Sequence, residues 1–131
     1  MTAHNDGVRV LVVEDEPMVR ALAVRTLTEQ GYQVTAAADG GEALAAVDQG
    51  SVAPDIMVTD IIMPGQNGRQ LSDAVRARQP DVQVLYMSGH TGESQVLERL
   101  LPADAPFLQK PFTPGQLVRA VGALRVRRRD C

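Results

Sequence analysis

Four separated stretches of this sequence each run into side chains able to do chemistry. The apolar run 8–13 leads into Glu14, Asp15 and Glu16, the run 56–59 into Asp60, the run 82–87 into Ser88, and the short run 107–109 into Lys110. Carboxylates, a hydroxyl and an ammonium are thus on offer. Carboxylates gathered in one place repel one another, and a hard divalent cation with oxygen ligands is the usual remedy. Mg²⁺ is the expected ion. It demands octahedral geometry and keeps several waters, so Asp15, Asp60, one backbone carbonyl and waters would suffice and leave a position for a phosphoryl oxygen. A carboxylate whose charge is offset is a competent nucleophile toward phosphorus and gives an acyl phosphate, and Asp60 is best placed for it. Phosphoryl transfer needs mainly positioning and compensation of charge on the equatorial oxygens, which the Lys110 ammonium and the Ser88 hydroxyl would each supply to one oxygen.

These groups act together only if a fold brings the ends of their runs to one edge. Runs 8–13, 56–59 and 82–87 are short, apolar and rich in β-branched residues, as expected of central strands covered on both faces. Run 32–36 alternates polar with apolar positions and 107–109 is very short, so both suit sheet edges. Helical spacing lies between the runs: Val19, Leu22, Ala23, Thr26 and Leu27 share a face, as do Leu71, Ala74 and Val75, then more weakly Val96, Leu97, Leu100 and Leu101, and finally Leu117, Val121 and Leu124. Gly31 stops the first helix. Asp39 with Glu42, and Thr113 with Gln116 behind Pro114, have capping-box spacing at two helix starts. Strand and helix alternating five times predict an α/β fold: a flavodoxin-like, doubly wound, five-stranded parallel sheet in the order 2-1-3-4-5 with five helices on both faces. Its ligand site then lies beyond the carboxyl ends of strands 1 and 3. The expected organisation is a flexible N-terminal segment 1–7, one domain over 8–125 and a basic C-terminal tail 126–131.

Composition agrees with one soluble domain: 131 residues, 44% hydrophobic and 22% charged, with a formal net charge of −3 that gives no field to draw nucleic acid or an anionic membrane. Arg125, Arg127, Arg128 and Arg129 read as a solvated helix end rather than a nucleic-acid site, and His4 and His90 stand too far apart to suggest a metal site. The lone Cys131 fits a reducing compartment, no stretch is apolar enough to span a bilayer, and the polar start lacks a secretory signal, so a cytoplasmic protein is expected. A nucleotide enzyme or phosphatase is disfavoured by the absence of a Walker-type glycine loop and of an Asp-x-Asp after the nucleophile.

From Val8 to about Leu124 the chain resembles the receiver domain of two-component response regulators. The carriers are Val12-Val13-Glu14-Asp15-Glu16, Val58-Thr59-Asp60-Ile61-Ile62-Met63-Pro64-Gly65 followed by Asn67-Gly68, Met87-Ser88-Gly89, and Lys110-Pro111-Phe112. Each is common alone; their order and spacing are specific. The resemblance implies Asp60 as the phosphorylated residue, Asp15 as a direct Mg²⁺ ligand, Glu14 as a ligand through water, the Ile62 carbonyl as a further ligand, and Ser88 and Lys110 as holders of the phosphoryl oxygens. It implies a phosphohistidine donor on a histidine kinase or phosphotransfer protein, a Lys110–Pro111 bond that is often cis, and Phe107 as a switch aromatic that turns inward when the Ser88 hydroxyl moves toward the phosphoryl group. Receivers often pair through the fourth helix, fifth strand and fifth helix, which makes a homodimer through them an expectation. The stretches around Ser88 and Lys110 are similar to receivers of hybrid sensor kinases. Many receivers have two aspartates where this chain has Glu14-Asp15, and Ile62 cannot orient a hydrolytic water as a polar residue there can, so a longer-lived acyl phosphate is expected. The alternative is a receiver-fold interaction module that takes no phosphate, against which Asp15, Asp60, Ser88 and Lys110 all stand intact.

Overall fold

The β-branched runs form the strands and the apolar stripes the helices that cover them. The computed structural model describes residues 7–62, 67–89 and 105–124. Its strands are β1 (Arg9–Val13), β2 (Gln33–Ala37), β3 (Ile56–Asp60), β4 (Gln83–Ser88) and β5 (Phe107–Gln109), all parallel in the order β2-β1-β3-β4-β5. Helices α1 (Pro17–Glu29), α2 (Gly40–Asp48) and α3 (Gly68–Arg78) and a C-terminal helix (Pro114–Gly122) pack on the sheet. The predicted order and class are those observed. The helical stripe at 96–101, His90 and the basic tail lie outside the described residues.

Successive side chains of a strand point to opposite faces, so each strand feeds two cores. Leu11, Val13, Met57, Val84 and Tyr86 bury with Ala43, Leu71 and Val75 of α2 and α3. Val10, Val12, Val58, Leu85 and Met87 bury with Ala23 and Leu27 of α1 and with Leu117 and Val121 of the C-terminal helix. β3 is buried at every position, as a middle strand covered by helices on both sides must be. Burying each such Val or Leu is worth roughly 1.5–3 kcal/mol, which commits the strand ends to fixed places. In α1 the core stripe is narrower than predicted: Ala23, Thr26 and Leu27 are buried, but Leu22 is 37% exposed and Met18 81%.

The helix starts are fixed by side-chain caps. Thr113 and Gln116 cap reciprocally, with Pro114 in the first turn, as predicted. Asp39 Oδ1 accepts from Glu42 N at 2.8 Å, but Glu42 reaches back to Ala38 N rather than to the Asp39 amide, so only half of that predicted box closes on the cap residue. A third box, Asn67 with Gln70, starts α3 and was not among the helix starts marked from sequence. Gly31, at φ 97°, takes the left-handed conformation just past the end of α1 that a β-carbon would penalise. Among the described residues no helix is long and apolar enough to cross a membrane.

Candidate functional site

Parallel pairing sets Val13 beside Thr59, Asp60 beside Met87 and Ser88 beside Gln109, so the residues that end or follow these strands share one rim. Strands β3 and β4 end on Asp60 and Ser88 themselves, because Ile61 N donates to Met87 O at 2.9 Å and Lys110 N donates to Ser88 O at 2.7 Å. Glu14 N donates to Ala37 O at 3.1 Å, which carries the β1 pairing one residue further.

At that rim Lys110 Nζ lies 2.8 Å from Glu14 Oε1 and 2.7 Å from Asp60 Oδ1. Glu14, fully buried, is satisfied on both oxygens: Oε1 accepts from Lys110 and Oε2 from Glu16 N at 2.9 Å. Asp60, 3% exposed, differs. Its Oδ1 pairs with the Lys110 ammonium and, among the described residues, with nothing else. A buried carboxylate with a single cationic partner is an expensive arrangement. Carboxylate oxygens of Glu14, Asp15 and Asp60 lie within 4.8 Å of one another, with Asp15 open to solvent. Three carboxyl groups around one ammonium form an all-oxygen donor set that fits a hard cation such as Mg²⁺.

Burial pushes the Asp60 carboxyl up to about 8; Lys110 opposes that rise and Glu14 adds to it. Burial works to lower the Lys110 ammonium, but Asp60 and Glu14 outweigh it and raise it, so the lysine stays charged. Because the folded value for Asp60 stands above its ordinary 3.8, its contribution favours the metal-free fold below about pH 4 and is lost as pH rises through about 8. An asparagine at this position has no such loss. In EDTA, the melting temperature of the wild type should therefore fall relative to that of Asp60→Asn between about pH 5 and pH 8; parallel curves would show that Asp60 ionises freely in the fold.

The other predicted residues fall as follows. Ser88 is buried at 3%, and Phe107, paired with Tyr86, is 37% exposed on the edge strand. Ile62 follows Asp60 by two positions and is 38% exposed. The Lys110–Pro111 peptide is cis. Two residues given no role from sequence also shape the site. Arg20, from α1, donates to the Glu14 carbonyl at 2.9 Å and ties the acidic loop to the helix; its spacing from Glu14 carries no local signal. Gly68, at the first turn of α3, donates to Ile61 O at 2.7 Å and lies so close to β3 that a β-carbon on it would sit 2.1 Å from Asp60 O. Beside Lys110 an apolar groove of about 230 Å³ is lined by Val19, Leu22, Gly89, Lys110, Pro111 and Phe112.

Known proteins resemble this chain in sequence and in fold. The chain is 41% identical over 114 residues to sensor kinase CckA of Brucella abortus, covering 86% of this chain and 12% of that protein. It is 39% identical over 121 residues to the transcriptional regulatory protein TcrA of Mycobacterium tuberculosis, covering 90% of this chain and 46% of that one. The chain thus spans less than half the length of these two relatives. Among solved structures, a response regulator receiver protein from Sinorhizobium medicae superposes with a TM-score of 0.76 at 33% identity, over 88% of this chain and 91% of that one. A sequence model of the response regulator receiver domain matches residues 10–122. With five parallel strands in the order 2-1-3-4-5 beneath an acidic rim, and that match across nearly the whole chain, this protein belongs to the response regulator receiver domain family.

Proposed function

We propose that this chain, as a receiver unit over 8–125, accepts a phosphoryl group on Asp60 from a phosphohistidine of a histidine kinase or phosphotransfer protein, with Mg²⁺ as cofactor. The single observation that carries the reading is the buried Asp60 carboxyl, 2.7 Å from Lys110 Nζ and clustered within 4.8 Å with the Glu14 and Asp15 oxygens. An Asp60 carboxylate oxygen attacks phosphorus as the phosphorus–nitrogen bond of the donor breaks and its electron pair stays on the nitrogen; this leaves an acyl phosphate here and, with a proton kept on the other ring nitrogen or taken up on the freed one, a neutral imidazole there. Lys110, already poised between Glu14 and Asp60, follows the charge onto a phosphoryl oxygen, and the Ser88 hydroxyl takes another. Glu14, Asp15, Asp60 and the Ile62 carbonyl would hold Mg²⁺, which when bound supplies the compensation for the charge that two carboxylates and a phosphoryl group bring together.

A protein donor is favoured by the apolar groove beside Lys110 and the exposed Met18 and Leu22 of α1, a larger apolar surface than a small phosphodonor needs. The signal leaves through Ser88 and Phe107, as a two-state change in which Phe107, now 37% exposed, turns inward. Cytoplasmic location and pairing through the fourth helix, β5 and the C-terminal helix belong to the same reading. Incubation with a radiolabelled autophosphorylated histidine kinase tests it. Label should pass to this chain in Mg²⁺ and stay on the kinase in EDTA; no transfer from any such donor, nor from acetyl phosphate, would leave an interaction module that takes no phosphate.

Ile62 sets the lifetime of the product. An isoleucine cannot orient the hydrolytic water, so Ile62→Asn should raise the hydrolysis rate several-fold, below the ~10²-fold of a complete general base. Decay of the labelled protein after removal of donor measures it; an unchanged or slower decay would contradict the role.

A further inference from the structure

One buried polar pair of the core has no part in the chemistry just described. Ser72 of α3 is fully buried and Tyr86 of β4 is 1% exposed, yet their hydroxyl oxygens lie 2.6 Å apart. Ser72 Oγ also bonds the Arg69 carbonyl, at 2.9 Å. A serine hydroxyl has one proton, and a carbonyl can only accept, so that proton lies on the Arg69 bond and Tyr86 donates to Ser72. The direction of the chain is thus Tyr86 Oη to Ser72 Oγ to Arg69 O.

Its place in the fold gives it a consequence. Ser72 stands one turn into α3, whose first residue, Gly68, donates to Ile61 O at 2.7 Å and abuts the Asp60 carbonyl. Tyr86 is in register with Thr59, the neighbour of Asp60, and stands two residues before Ser88 on the same strand. We infer that the Tyr86–Ser72 hydrogen bond is a strut that seats the start of α3 against the backbone of Asp60, making Tyr86 and Ser72 positioning residues for the acidic site. Apolar packing alone lets a helix slide along a sheet at small cost, whereas a short buried hydrogen bond fixes its height, and the atoms it fixes lie one helical turn from Gly68.

The strut separates two quantities that ordinary destabilisation would move together. Tyr86→Phe removes the donor and leaves Ser72 still bonded to Arg69. Ser72→Ala breaks the same strut but strands the tyrosine hydroxyl in the core, which costs more; the double variant strands nothing. Stability should therefore be lowest in Ser72→Ala and recover in the double variant. Seating should be lost equally in all three. Exchange of the Gly68 amide in metal-free protein, followed by NMR, should quicken about threefold or more in Tyr86→Phe, Ser72→Ala and the double variant alike, and Mg²⁺ affinity should fall by a similar factor in each. Val75→Ala, one turn further along α3, should lower stability and leave both quantities as in the wild type. The inference is overturned if amide exchange and affinity follow stability, recovering in the double variant, or if Tyr86→Phe moves neither. Should Ser72→Ala fail to fold, Tyr86→Phe alone decides. The Mg²⁺ arm rests on the proposed phosphoacceptor role, while the amide arm does not: a wild type that binds no Mg²⁺ would sink that role and leave the strut to be judged by Gly68.

Discussion

Asp60→Asn takes up no phosphoryl group from histidine kinase or acetyl phosphate while keeping the fold, with a rate loss of at least ~10³-fold, the order seen when a nucleophile is removed. The substitution suits the question because it is nearly isosteric. Burial already favours the uncharged Asp60 up to about pH 8 in metal-free protein, so a neutral amide costs the fold little. What it removes is the attacking oxygen and one anionic ligand. Lys110 keeps its 2.8 Å contact with Glu14, so its position should survive. Intact-mass spectrometry after donor treatment, beside circular dichroism of both proteins, checks the prediction. Mg²⁺-dependent phosphorylation of Asp60→Asn at the wild-type rate would place the acceptor elsewhere.

Gly68→Ala should be a severely damaging single-methyl change. An alanine β-carbon there would lie 2.1 Å from Asp60 O, 2.9 Å from Ile61 Cα and 3.0 Å from Asp60 C, all backbone atoms with no rotamer to yield. Either α3 lifts from β3 or the end of β3 moves. Overpacking of a close-packed contact costs about 1–3 kcal/mol, and a clash with main chain belongs at the upper end, about 3 kcal/mol and a fall of roughly 10 °C in melting temperature. The surviving protein should also phosphorylate slowly, because the displaced backbone is that of the acceptor. Gly122→Ala is the matched control. Nothing lies within 4 Å of its added β-carbon, and alanine is the better helix former, so stability should hold or rise by up to about 1 kcal/mol. Thermal melts of the two variants decide. Equal behaviour would show that α3 does not seat on Asp60 as described.

The sheet order and the chemical rim were both legible in the sequence, for one reason. In a parallel sheet each buried strand is a short apolar run, and the first polar residue after it is the one that emerges at the rim, so Glu14, Asp60, Ser88 and Lys110 announced themselves by following apolar runs. The Thr113–Gln116 capping box was readable because both partners lie within four residues. The features that escaped depend on distance in sequence. Nothing local shows that Gly68 abuts Asp60, that Arg20 reaches the Glu14 carbonyl, or that Tyr86 and Ser72, 14 residues apart, share a hydrogen bond. Leu22 was misplaced because helical spacing gives the direction of an apolar stripe but not its width, and the end of α1 nearest the site turns its apolar side outward with Met18.

The most direct test is to locate the phosphoryl group itself. The protein is charged from a phosphohistidine donor in Mg²⁺, the acyl phosphate is reduced with borohydride, and the digested peptides are mapped by mass spectrometry. Reduction should convert residue 60, and no other, to homoserine, with no conversion in EDTA. Conversion at Asp15 or Glu14, or phosphate retained on a histidine with residue 60 untouched, would contradict a cation-dependent acceptor site built around Asp60.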